Sequence, residues 1–212
     1  MKKLIKPIVS VVLLPLFVAL FMMSAKAPAD NTGYKIGDKA ADFKLKNVDG
    51  KMVSLNEFGS AKGFIIVFTC NHCPFAKAYE SRIMGLNAEF ASKGYPVIAI
   101  NPNDPTQVDE DSYNNMKSVA KTKGYKFPYL VDETQEVAKE YGAAHTPHVF
   151  VLQKSNSGLV VKYIGAIDDN SADETKVTKH YVADAVTELL AGKEVSVATT
   201  KAVGCGIKWS AK

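Results

Sequence analysis

The run Phe64-Ile65-Ile66-Val67-Phe68-Thr69-Cys70-Asn71-His72-Cys73-Pro74 decides the architecture. Its first five residues are continuously apolar, the pattern of a strand buried on both faces, and such a strand belongs to a sheet with helices on both sides. Beyond the motif, Phe75, Tyr79, Ile83, Leu86 and Phe90 recur at helical spacing until Gly94 closes the pattern as a C-terminal cap. Cys70 and Cys73 therefore stand at a strand-to-helix junction, one helical turn apart.

Toward the N-terminus, Phe43 to Val48 alternates apolar and polar residues, Asp49-Gly50 signals a turn, and Met52 to Leu55 resumes the alternation, which predicts a β-hairpin at a sheet edge. Residues 28–36 are small and polar and read as a flexible tail. Before them, Lys2, Lys3 and Lys6 precede an uncharged apolar run from Ile8 to Met23 that ends in Ala25-Lys26-Ala27. This is the layout of a secretory signal peptide over residues 1–27. An uncleaved membrane anchor is the alternative, since the uncharged run from Pro7 to Ala25 approaches the ~20 residues that span a bilayer; Pro15 and the small residues at its end favour cleavage. The chain is then expected to be exported to the periplasm, and to meet a membrane only if the signal stays in place.

Toward the C-terminus, Val97 to Ile100 reads as a second buried strand and Ser112 to Lys123 as a helix ending at Gly124. Asp132 with Gln135 forms the pattern of a capping box for a short helix through Tyr141. Val149 to Leu152 and Leu159 to Tyr163 read as strands joined by the turn Ser155 to Gly158, and Val177 to Leu189 as an amphipathic helix closed by Gly192. This order predicts an α/β fold with a mixed sheet, helices on both faces and an N-terminal hairpin, as one domain over residues 37–212. The final stretch is weakly patterned, yet Cys205, Ile207 and Trp209 suggest that it packs.

The chain has 212 residues, 47% of them hydrophobic and 23% charged, in the range of an ordinary globular protein. Loss of the signal would remove four lysines and no acid, which cancels the formal charge of +4. The pI of 8.8 thus belongs to the precursor, and no nucleic-acid surface is indicated. Three cysteines in an oxidising compartment mean one pair and one remaining thiol, or an intermolecular partner.

A thiol at a helix N-terminus meets free N–H groups and the positive end of the dipole, which lower its pKa from ~8.5 toward roughly 3.5–7.5. Cys70 is the expected solvent-facing nucleophile and Cys73 its resolving partner. His72 is expected to tune the couple, leaning it toward the oxidising range of about −180 to −120 mV. A static disulfide or half of a zinc site is the competing reading, but a closed zinc site wants four ligands, and only Cys205, His145, His148 and His180 remain to complete one.

On these residues the chain resembles the thioredoxin superfamily, in its redoxin (AhpC/TSA-like) branch. Closer still is a peroxiredoxin-like group with a thioredoxin-type dithiol, through Phe68 to Pro74, Ala166-Ile167-Asp168-Asp169-Asn170 and Gly204-Cys205-Gly206-Ile207-Lys208-Trp209. The resemblance implies a thioredoxin-like fold, a cis peptide at Pro147 against the dithiol, and a substrate groove in which the Thr146 backbone pairs with an extended segment. It also implies a thiol-disulfide oxidoreductase without cofactor, whose partners are protein thiols or disulfides, a small thiol, or another redox protein. Peroxiredoxins need a threonine three residues before the peroxidatic cysteine and an arginine from a later strand. Here the candidates at minus three are Cys70 or Val67, and the lone arginine is Arg82, so a weak peroxidase is a minor alternative. Thioredoxins carry a buried acid on the strand before the motif; this strand has none, so the group that handles the proton is unnamed. A copper metallochaperone of the same fold, using the two cysteines with His145 or His148, is the reading from another class. Cys205 is either a third redox thiol that takes over the disulfide or an inert buried one, with Ile207 and Trp209 favouring the latter. Asn101-Pro102-Asn103-Asp104-Pro105 reads as a turn without chemistry.

Overall fold

A computed structural model of the protein describes residues 33–211. The expected signal segment and residues 28–32 lie outside the described residues. The strands are β1 (Lys39–Ala40), β2 (Lys44–Asn47), β3 (Met52–Ser54), β4 (Gly63–Phe68), β5 (Val97–Asn101), β6 (Tyr129–Val131), β7 (His145–Thr146), β8 (His148–Ser155), β9 (Gly158–Gly165) and β10 (Cys205–Gly206). The helices are α1 (Pro74–Phe90), α2 (Tyr113–Lys123), α3 (Glu136–Tyr141) and α4 (Tyr181–Leu190).

Eight strands form one sheet in the order β1-β9-β8-β4-β5-β6-β2-β3, and β10 pairs with β7 separately. The central trio β4, β5 and β6 is parallel, while β8 and β9 return antiparallel beside β4. The expected hairpin is present as β2 and β3, with Leu45 opposite Val53, at one edge of the sheet.

Every residue of β4 is buried, and the strand period of two divides them between two cores. Ile65 and Val67 join Tyr79 and Ile83 of α1, Met116 of α2 and Val182 and Val186 of α4. Phe64, Ile66 and Phe68 face the other way, toward Val137, Ala138 and Tyr141 of α3. The mixed sheet with helices on both faces is thus the observed α/β fold.

Four sequence expectations are corrected. Phe75 is 37% exposed, because the buried stripe of α1 enters through Ala76 and continues as Tyr79, Ile83 and Phe90. The capping box is not formed: Asp132 Oδ2 accepts from Ala138 N–H at 2.8 Å, and Gln135 adopts a left-handed φ of 60° with its amide turned to the carbonyls of Pro102 and Lys208. Nor does the expected tail run loose to residue 36, since Tyr34 packs edge-on against Tyr141 at 4.9 Å and bonds Glu140. The C-terminal helix begins at Tyr181 rather than Val177, after a short 3-10 turn over Glu174–Lys176.

Ile66→Ala should lower the unfolding free energy by about 2–5 kcal/mol, because the gap opens in a fully covered strand. Phe75→Ser should shift it by no more than about 0.5 kcal/mol. Urea unfolding of both variants under reducing conditions checks the pair.

Candidate active site

Cys70 follows the C-terminal end of β4 and Cys73 caps α1, with Pro74 as the first helical residue. The peptide before Pro147 is cis, as the resemblance implies, and Thr146 lies against both thiols. Its hydroxyl is 3.1 Å from Cys70 Sγ, and its carbonyl accepts from Cys73 Sγ at 3.2 Å. Cys205 completes the group, its N–H donating to Cys73 Sγ at 3.4 Å. All three thiols are free.

The expected solvent-facing nucleophile is not observed. Cys70 is 6% exposed and Cys73 fully buried. Burial, followed by the negative charge of Asp111, pushes the Cys70 thiol up to about 12. Burial alone would also raise Cys73. The hydrogen bond from Cys205, the N–H groups of Ala76 and Phe75 at the start of α1, and the Cys205 N–H outweigh it and hold this thiol below its usual value. Cys205 is correspondingly raised to about 11 by burial and by its bond to Cys73. The helix terminus therefore acts on the second thiol of the motif, which caps the helix, rather than on the first.

His72 does not lie free beside a thiolate. Its Nδ1 is 2.5 Å from Oδ2 of Asp111, a buried carboxylate in the short turn Asp109–Asp111. Asp111 also accepts from the N–H groups of Asn71 at 2.6 Å and His72 at 3.3 Å. Asn103 donates to it at 2.8 Å and Asn101 at 3.3 Å. Asp111 is the buried neighbour of the motif that the sequence reading missed, and Asn101 and Asn103, read as a plain turn, donate to it. No spacing relates residue 111 to residue 72; only the fold brings them together.

One group of side chains among the described residues has metal-ligand proximity: Cys70, His72 and Asp111, whose ligand atoms lie within 4.8 Å of one another. Three donors, one of them a hard carboxylate, fall short of a closed zinc site and suit copper(I) poorly. His145 and His148 are not in this group. Gly206 pairs with His145, while the His148 ring lies 4.7 Å from Phe150 and accepts from Ala144 N–H at 3.4 Å. The donor set that the copper reading needs is therefore not assembled.

The substrate groove is also revised. The edge of β7, where an extended partner would pair with Thr146, is taken by the chain's own β10, with Cys205 opposite Thr146 and Gly206 opposite His145. Arg82 is committed elsewhere: its guanidinium binds both oxygens of Asp168, at 2.7 and 3.0 Å, and the Asn170 carbonyl at 2.7 Å.

The model of the AhpC/TSA family matches residues 36–163. A conserved protein of Geobacillus kaustophilus, described as uncharacterized, has a solved structure that is 40% identical. The match covers 84% of this chain and 94% of that one, with a TM-score of 0.78. The thiol-disulfide oxidoreductase ResA of Halalkalibacterium halodurans is 25% identical over 150 residues, which are 69% of this chain and 78% of its own. The exposed lipoprotein thioredoxin Etrx1 of Streptococcus pneumoniae is 24% identical with a TM-score of 0.52, over 72% of this chain and 99% of its own. The fold is thioredoxin-like.

Asp111→Asn removes a negative charge beside Cys70, so in a Cys73→Ser, Cys205→Ser background the Cys70 thiol should titrate at lower pH than with Asp111 present. Thiolate absorbance against pH reads this, and an unchanged titration would remove Asp111 from the site. His148 supplies a second test, because burial, with His145 adding to it, lowers its pKa from 6.5 to about 4. Between those values the unfolded chain holds the extra proton, so stability rises with pH there and is lost as pH falls from 6.5 toward 4, by up to about 3 kcal/mol. His148→Gln should flatten that part of the stability profile measured by denaturant midpoints.

Proposed function

The chain belongs to the AhpC/TSA family, and on that premise we propose that it is an exported thiol-disulfide oxidoreductase working through Cys70 and Cys73. The observation that carries the reading is the meeting of both thiols on one residue, Thr146, at the start of α1. The relatives named thiol-disulfide oxidoreductase ResA support the reaction class. Lys2, Lys3, Lys6 and the apolar run that ends at Ala25-Lys26-Ala27 support export to the periplasm with cleavage of residues 1–27, leaving a redox domain from residue 37 with a short N-terminal extension.

Cys73 is held as a thiol donating to the Thr146 carbonyl; exchange begins once this lower-pKa thiol has lost its proton while Cys70 keeps its own. Cys70 attacks a partner disulfide as its proton passes to the Asp111–His72 pair, and a mixed disulfide forms at Cys70 while one partner sulfur leaves. Cys73 then attacks Cys70 Sγ, the Cys70–Cys73 disulfide forms, and the second partner sulfur departs as a thiolate that takes up the proton. The partner gains two electrons and the dithiol loses two; the reverse sequence oxidises a partner dithiol. His72 acts through Asp111, so its tuning is a matter of proton position. Thr146 and Pro147 form the wall against which the sulfurs exchange. The partner is a protein thiol or disulfide or a small thiol, with a second redox protein returning the dithiol to its starting state. Against the peroxidase alternative stand Arg82, held by Asp168, and the minus-three position, where Cys70 or Val67 takes the place of the threonine.

A glutathione redox series on the purified protein, metal-free and again with copper(I), tests this. A reversible two-electron couple above about −270 mV, unchanged by the metal and lost in Cys73→Ser, is expected. Absence of a reversible couple, or thiols shielded by tightly held copper, would replace the exchange reading with a metal-carrying one.

A further inference from the structure

The chain beyond α4 does not end at the helix. It returns along β9, where Thr200 N–H donates to the Ile164 carbonyl and Ile164 N–H to the Ala198 carbonyl, and then runs across the dithiol. Past β10 it is held at several points: Ile207 N–H donates to the Ala144 carbonyl, Lys208 N–H to Asn103 Oδ1 at 2.9 Å, and Gln135 grips the strand through the Lys208 carbonyl and the Ser210 N–H. Ile207 is buried.

The approach is close enough to dictate a glycine. A Cβ on Gly204 would lie 2.3 Å from the Thr146 carbonyl oxygen, so the tail backbone rests directly on the Thr146–Pro147 peptide. The next residue, Cys205, is the register partner of Thr146. Cys73 Sγ thus meets both the Thr146 carbonyl and the Cys205 N–H, and the Cys205 side chain packs against the cluster formed by Cys70, Cys73 and Ala76.

An extended strand, paired antiparallel to β7, with a cysteine beside the dithiol, is the arrangement an incoming protein substrate would need. We propose that the C-terminal strand is a substrate strand carried by the chain itself, and that Cys205 is a third catalytic thiol that takes the disulfide over from Cys70 and Cys73. The proposal rests on the dithiol exchange proposed above.

The step is an isomerisation. The Cys205 thiolate attacks Cys73 Sγ; the Cys73–Cys205 bond forms, the Cys70–Cys73 bond breaks, and the electron pair leaves on Cys70 Sγ. Cys70 takes up a proton equivalent to the one Cys205 gave up, so no external oxidant or reductant is consumed. Its position beside Asp111 and His72 provides the route for that proton. The product holds the oxidising equivalent under the tail strand, and a partner strand gains the β7 edge only after β10 leaves it.

Trypsin separates the participants, because Cys70 and Cys73 share the peptide 63–77 while Cys205 lies in 202–208. The protein is poised in glutathione buffers, quenched in acid, alkylated, isolated as monomer on a non-reducing gel, digested and mapped by mass spectrometry. A species joining the two peptides is expected in the unmodified protein; it should persist in Cys70→Ser and disappear in Cys73→Ser. An internal disulfide in 63–77 with Cys205 alkylated at every poise would overturn the third-thiol assignment and leave the dithiol reading standing. A cross-link that survives Cys73→Ser and is lost in Cys70→Ser would overturn the assignment of Cys73 as the exchange partner. Absence of any protein disulfide would overturn both readings together.

Discussion

A strand buried on both faces must be covered on both faces, and β4 imposes that requirement on everything around it. Ile65 and Val67 need α1 and α4; Phe64, Ile66 and Phe68 need α3 and its aromatic partner Tyr141. Each apolar side chain of this size contributes roughly 1.5–3 kcal/mol when fully withdrawn from water, so the strand cannot slip by one residue without exchanging one core for the other. Because β4 is pinned in register against both β5 and β8, the residues that follow it leave the sheet at one defined place. The dithiol sits there.

At that place the fold sets burial against reactivity. Placing a carboxylate and two sulfurs out of water is costly unless each finds partners. Asp111 finds them in the motif residues Asn71 and His72 and in Asn101 at the end of β5 with Asn103 just beyond it, and so ties the start of α1 to the end of β5. Thr146 does the same for the sulfurs from the opposite side. A buried acid thus stands beside the motif on a loop rather than on the strand before it, and the geometry of the motif is held by tertiary contacts more than by its own residues.

The parts that were legible in the sequence are those governed by local period or local chemistry. The apolar run of β4, the Asp49-Gly50 hairpin, the stripe of α1 from Tyr79 onward and the strand pair on either side of Ser155 each carry their pattern within a dozen residues. The position of Pro147 beside the dithiol was legible only through resemblance. What escaped depends on the segment that happens to lie above a given residue. Phe75 fits the helical stripe but stands beyond the sheet that would cover it, whereas Tyr34, in a polar stretch, finds Tyr141. Cys70 looked exposed because nothing nearby in the chain shields it; its cover comes from β7 and the far C-terminus. Asp111 is the last of three consecutive acids, and the burial that singles it out is a property of the assembled fold.

The strand that closes the site is made after the thiols it covers. Cys205 follows Cys73 by 132 residues, and Ile207, Lys208 and Ser210, which hold the strand down, follow it in turn. At synthesis rates of about 5–20 residues per second, the motif thiols emerge on the order of ten seconds before their cover. For that interval the nascent chain presents an unsheltered pair of cysteines, and the finished protein does not. Maturation of this molecule is therefore a change of chemical state as well as of shape: the shelter of the thiols, and the Cys205 contacts that lower Cys73, arise only when the C-terminal strand is in place.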